Sequence, residues 1–279
     1  MKNIKKSKLR ALPHVFLLIF FFTFVCLARK SIQAISEREL LLLSIMSYNN
    51  NQNTNVSETI IDKNFDKKWF AGYGDISELK GWKIVDSIIN TDAKKMAGFS
   101  VISYKKGKNL VIAFRGTDSG IVQENWGYFI LNNEHPQAKY VNQYINNLKN
   151  VSFVNQETNI YLTGHSLGGY LATFALGKIM GINELKDKLV KATTFNGLGI
   201  GYTSDKAMIK RLSKIGPDKL VNYAVRGDVV VLIGRHFTKV KYLDFIPKSF
   251  DATMNFISGP HFPYNFLAQS PFLKNSINI

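Results

Sequence analysis

Apolar residues in this chain gather into short runs separated by polar or glycine-containing breaks, and the runs follow two different periods. Ile160-Tyr161-Leu162-Thr163 is unbroken and suits a buried strand, whereas Leu171, Phe174, Ala175 and Ile179 recur at the three- and four-residue steps of a helix. Between them stands Gly164-His165-Ser166-Leu167-Gly168-Gly169, which predicts a sharp strand-to-helix turn. Upstream, Phe99 to Tyr104 and Leu110 to Phe114 flank a Lys105-Lys106-Gly107-Lys108 turn and predict an antiparallel hairpin. The second of these runs, NLVIAF, is apolar throughout, as expected of a strand covered on both faces.

The remaining pattern fills in around this centre. Ile35 to Tyr48 predicts an apolar helix packed against the domain, opened by a capping box of Ser36 and Glu39. Residues 49–58 are polar and aperiodic and predict a loop. The segment 59–92, with Trp69, Phe70, Tyr73 and Trp82 among glycines, is expected to be irregular core cover. Residues 119–135 form a connection with Trp126, Tyr128 and Phe129, either part of a lid or acyl-chain wall or simple packing. Gln137 to Leu148 follows as an amphipathic helix. Lys191 to Phe195 and Leu220 to Val225 predict further strands, Ala207 to Ile215 a short basic helix, and Phe237 to Leu243 an outer strand. The glycine-rich stretch Asn196 to Gly201 has the wrong spacing for a dinucleotide fingerprint. Strands alternating with helices predict an α/β fold with a mostly parallel central sheet flanked by helices, entered by the antiparallel hairpin.

Composition changes the picture at the N-terminus. Lys2, Lys5, Lys6, Lys8 and Arg10 precede an apolar stretch from Val15 to Ala28, ending in Cys26-Leu27-Ala28. Residues 1–28 therefore predict an export signal, making the protein secreted or periplasmic, or alternatively a membrane anchor through residues 11–28. Residues 29–279 are expected to form a single domain, with 46% hydrophobic residues in the whole chain to supply its core. Cys26 is the sole cysteine, so loss of the leader leaves a chain without disulfides, cysteine nucleophile or thiolate metal site. The formal net charge is +16, of which the leader carries five, leaving +11 for residues 29–279. That excess favours an anionic membrane surface. Nucleic acid is not expected as a partner, because the lysines are scattered and no nucleic-acid-binding signature accompanies them.

The candidate chemistry sits at the turn. Gly164-His165-Ser166-Leu167-Gly168 matches the G-x-S-x-G nucleophile elbow, in which a strained corner lifts a serine clear of its neighbours and glycines permit the close approach of strand and helix. A serine hydroxyl needs a base within hydrogen-bond reach, and the base needs a carboxylate to fix its tautomer. Asp228, just past the strand ending at Val225, and His261, on a Gly-Pro-flanked loop, follow Ser166 in the order serine, acid, histidine. Asp218, Asp244 and Asp251 are rivals for the acid with less suitable settings. His236 lies only eight residues beyond Asp228, and His14 and His135 precede the elbow, so each is expected to be a bystander. His165, adjacent to the serine, is expected to be a shoulder of the elbow rather than the base. An oxyanion hole is expected from the backbone N–H groups of Leu167 and Thr117, with Gly116 letting the chain turn toward Ser166. No metal or cofactor is expected.

With FRGT at 114–117, GHSLGG at 164–169, TTFNG at 193–197, a strand ending near Asp228 and then His261, the chain resembles the lipase class 3 family and related bacterial lipase-like α/β-hydrolases over about residues 95–265. The Trp126 region looks more like the bacterial branch than the fungal one. The resemblance implies an α/β-hydrolase fold, a role for Thr117 in the oxyanion hole, and hydrolysis of lipid esters by a lipase or phospholipase A type of reaction. Two departures stand out: the family has TFG where this chain has Thr194-Phe195-Asn196-Gly197, and D-x-V-P where it has Asp228-Val229-Val230-Val231. An acyltransferase using the same residues, and a catalytically silent lipid- or protein-binding domain on the same fold, remain the alternatives.

Overall fold

The apolar runs become neighbouring strands of one sheet. A computed structural model describes residues 35–48, 76–90, 95–117, 134–244, 259–261 and 266, and the fold lies in the unit Ser36–Ile279. The leader, the 49–58 loop and the aromatic connection around Trp126 lie outside the described residues. Seven strands pair in chain order: β1 (Lys83–Ile88), β2 (Val101–Lys106), β3 (Asn109–Phe114), β4 (Asn159–His165), β5 (Leu189–Phe195), β6 (Leu220–Val225) and β7 (Val240–Leu243). The first three are antiparallel to one another and β3 to β7 are parallel. The predicted hairpin is β2–β3, tighter than expected: Lys106 pairs with Asn109, so only Gly107 and Lys108 turn.

One element was not expected. Residues 83–88 form an edge strand rather than irregular cover. The register shifts between Ile84 and Asp86, and such a bulge breaks the two-residue alternation by which a strand is recognised.

Right-handed crossovers between parallel strands added in chain order carry all their helices to one face of the sheet. Helices α2 (Ala138–Asn147), α3 (Leu167–Ile179) and α5 (Lys206–Leu212) do so, sharing one core with Leu110, Ile112, Ile160 and Leu162; the four-residue helix α4 is Asn183–Lys186. The opposite face must be covered by something else. Helix α1 (Glu37–Met46) covers it: Thr163, which alternates with Leu162, donates its hydroxyl to the Leu40 carbonyl at 3.1 Å. Leu40, Leu41, Leu42, Leu43 and Ile45 are fully buried, as suits a helix apolar around its circumference. Both bonds of the Ser36–Glu39 capping box are made. Among the described residues, no helix is long and apolar enough to cross a membrane.

Candidate active site

The functional candidates gather where the parallel strands end. Strand β4 finishes at His165, α3 starts at Leu167, and Ser166 between them adopts φ 57° and ψ −128°. A non-glycine residue at such a positive φ is held under strain by its surroundings. The surroundings are two close backbone approaches: a Cβ on Gly164 would stand 2.2 Å from the Gly168 carbonyl oxygen, and one on Gly168 would stand 2.1 Å from that of Phe114. Both elbow glycines are therefore required by contact rather than by turn conformation alone.

His261 lies in a short 3₁₀ turn, Gly259–His261. Its Nε2 is 2.8 Å from Ser166 Oγ, and its Nδ1 is 2.8 Å from Asp228 Oδ2. A carboxylate only accepts, so the proton of the neutral ring resides on Nδ1, and Nε2 is free to accept from the serine hydroxyl. The Asp228 carboxylate is fully buried; its second oxygen accepts from the Val230 N–H at 2.9 Å. Side chains separated by 95 and 33 residues thus form one hydrogen-bonded row. Such a row can draw a proton from the serine as its oxygen attacks an electrophile.

The expected oxyanion donors lie beside the elbow. Leu167 is the first residue of α3, where backbone N–H groups lack intrahelical partners. The β3 end packs directly against the elbow, since a Cβ on Gly116 would meet the His165 carbonyl oxygen at 2.6 Å and the Tyr48 hydroxyl at 2.0 Å. Thr117 follows Gly116, half-buried. Arg115, buried, turns away from the site and donates to the carbonyl oxygens of Asn90 and Gly98, fixing the loops beneath.

His165 is a shoulder of the elbow, and it also holds part of the site. Its Nε2 lies 2.7 Å from the His261 carbonyl oxygen and its Nδ1 lies 3.0 Å from the Tyr48 hydroxyl. Burial pushes its pKa down to about 3, so the ring is neutral. The carbonyl fixes the tautomer: Nε2–H donates to it, and Nδ1 accepts from Tyr48. Asn196 is a second residue missed from sequence. Its Nδ2 donates to the carbonyl oxygens of Pro260 at 2.9 Å and His261 at 3.1 Å, while its Oδ1 accepts from the Val225 N–H at 2.8 Å. Its signal was the departure from TFG, an amide side chain directly after Thr194-Phe195. Tyr48, at the end of α1, gave no such signal.

The rivals stand elsewhere. Asp244 pairs with Arg226 at the surface at 2.9 Å, and Asp218 lies exposed before β6. His236 donates from Nε2 to the Val231 carbonyl at 2.8 Å. His135 is buried against Tyr170, with burial pushing its pKa down to about 4. Asp251 and His14 lie outside the described residues. Among those described, no group of three or more His, Cys, Asp or Glu side chains is arranged to hold a metal ion.

Comparison with known proteins shows the family of the chain. The Mbeg1-like family matches residues 77–218, just over half of the 279-residue chain. The chain belongs to the Mbeg1-like family. Among solved structures it is similar to a mutant form of MDLA from Penicillium cyclopium, with a TM-score of 0.54 at 16% identity over 78% of this chain and 83% of that one. It is also similar to M37 lipase (TM-score 0.48, 18% identity, 71% and 69% covered) and to Lip2 lipase from Yarrowia lipolytica (TM-score 0.47, 16% identity, 75% and 77% covered). With the mostly parallel sheet and the elbow, the likeness to MDLA places the chain on the expected α/β-hydrolase fold. The leaning toward a bacterial branch is not borne out: the family the chain matches is Mbeg1-like. No curated protein matches the chain.

Proposed function

We propose that the protein is a serine carboxylic-ester hydrolase acting on lipid esters, of the lipase or phospholipase A type. The observation that carries this reading is His261, bridging Ser166 and Asp228 at 2.8 Å on each side. Ser166 Oγ attacks the ester carbonyl carbon as its proton passes to His261 Nε2, and the buried Asp228 carboxylate supports the resulting imidazolium. The oxyanion accepts hydrogen bonds from the Leu167 and Thr117 N–H groups. His261 then returns the proton to the leaving alkoxide, giving an alcohol and an acyl-enzyme on Ser166. Water, deprotonated by the same imidazole, releases the acid.

Two features favour lipid esters. The segment after Asp228 presents Val229, 50% exposed, and Leu232, 74% exposed, beside the site, where an acyl chain or bilayer would bury them. The charge of +11 that residues 29–279 carry once the leader's five cations are removed from +16 favours anionic phospholipid. Residues 1–28 would deliver the protein to a membrane or beyond it.

The test is hydrolysis of p-nitrophenyl esters and phospholipid vesicles by wild type and Ser166→Ala, beside labelling with a fluorophosphonate. Hydrolysis and labelling are expected in the wild type alone. Full activity in Ser166→Ala would refute the assignment, and equal rates on neutral and anionic vesicles at low salt would remove the preference for anionic lipid.

A further inference from the structure

A base that must reach both a serine and a carboxylate is only as well placed as its backbone. His261 reaches Ser166 from a turn 33 residues beyond Asp228, and what fixes the main chain there is two donors on one oxygen. A carbonyl oxygen has two lone pairs. That of His261 faces His165 Nε2 at 2.7 Å and Asn196 Nδ2 at 3.1 Å. We propose that Asn196 and His165 are positioning residues, which clamp the His261 carbonyl and thereby aim its imidazole at Ser166. This rests on the hydrolase reading for its catalytic consequence, though not for the clamp itself.

Asn196 is suited to the task in three respects. Its backbone is at φ 46°, a region in which asparagine is enriched among non-glycine residues. The orientation of its amide is fixed by its partners, because the Val225 N–H can only donate and the carbonyls of Pro260 and His261 can only accept. Finally, the amide joins both halves of the acid–base pair. Val225 ends β6 and its carbonyl accepts from the Asp228 N–H at 3.1 Å, so one side chain ties the strand bearing the acid to the turn bearing the base. Glycine would satisfy the backbone but remove this partner from the Val225 N–H and the Pro260 carbonyl and leave the His261 carbonyl to His165 alone. Aspartate would turn an oxygen on two carbonyls.

His165 works from the other side of the same oxygen. Tyr48 donates to its Nδ1 at 3.0 Å and so keeps the proton on Nε2, where the clamp needs it. Phe266, fully buried with its ring 5.3 Å from that of Phe195, anchors the chain just beyond the turn.

The test uses the full chain and the variants N196G, N196D, H165A and H165Q, with ester hydrolysis, fluorophosphonate labelling and the low-field proton resonance of His261 Nδ1–H as readouts. A displacement of this kind commonly costs about a hundredfold in rate. N196G and H165A are expected to lower kcat by about 10- to 100-fold with KM little changed, to slow labelling to the same degree, and to shift or broaden the low-field proton. H165Q, which retains a nitrogen donor near the Nε2 position, is expected to recover most of the loss. N196D is the isosteric check should N196G fail to fold, and is expected to behave as N196G does. Wild-type kcat and an unmoved resonance in N196D or N196G together with H165A would overturn the proposal. If the wild type neither hydrolyses esters nor labels, the hydrolase reading fails, and the low-field resonance alone decides the clamp: a shift in N196D or N196G upholds it and no shift overturns it.

Discussion

Lowering the pH from 7.5 to 5 should destabilise this protein through two histidines that its interior keeps neutral. His165 and His135 are 4% and 1% exposed, and burial pushes their pKa values from 6.5 down to about 3 and about 4. Both folded values lie below the unfolded one, so the unfolded chain binds more protons and stability falls as pH drops below about 6.5. The loss continues until each folded group itself titrates. At pH 5 an exposed imidazole binds protons by a factor of roughly thirty that the buried one forgoes, or about 2 kcal/mol for each histidine. Two such terms take about 4 kcal/mol from a domain whose kind usually has 5–15 kcal/mol. Urea unfolding of wild type, His165→Gln and His135→Gln, followed by tryptophan fluorescence across this range, measures each term as a change in slope. Each substitution should flatten the acid limb by about 2 kcal/mol between pH 7.5 and 5, whatever it does to stability at neutral pH. Curves that run parallel would refute the reasoning.

Other expectations concern the site and the core. Asp228→Asn removes the carboxylate that sets the His261 tautomer and should lower kcat by about four orders of magnitude while leaving the fold intact, as steady-state kinetics and circular dichroism will report. Gly168→Ala puts a methyl 2.1 Å from the Phe114 carbonyl oxygen; separating strand and elbow to admit it should cost about 1–3 kcal/mol or more in urea melts and abolish labelling of Ser166. Leu41→Ala, in the buried face of α1, should cost about 2–5 kcal/mol, measurable by thermal unfolding.

Much of this was legible because it is local. The G-x-S-x-G turn, the all-apolar β3 and the Ser36–Glu39 cap each declare themselves within a few residues. The strand-end setting singled out Asp228 among its rivals, and in the structure Asp228 faces His261 whereas Asp244 faces Arg226 at the surface. What escaped is long-range or irregular. Strand β1 carries a bulge that erases its alternation. Tyr48 touches His165 across 117 residues, and Asn196 touches His261 across 65. Such partners are chosen by the folded backbone, and no window along the sequence contains both.

Because each strand lies next to the one made just before it, a growing chain can extend the sheet one edge at a time, with no gap left for later insertion. Ser166 is then in place on its strained corner well before synthesis reaches His261. A ribosome-bound or truncated chain ending before the 259–261 turn would hold a formed elbow and an idle hydroxyl. On the proposed hydrolase reading, the serine oxygen gains its base only when the 259–261 turn docks, so a half-made copy would be inactive.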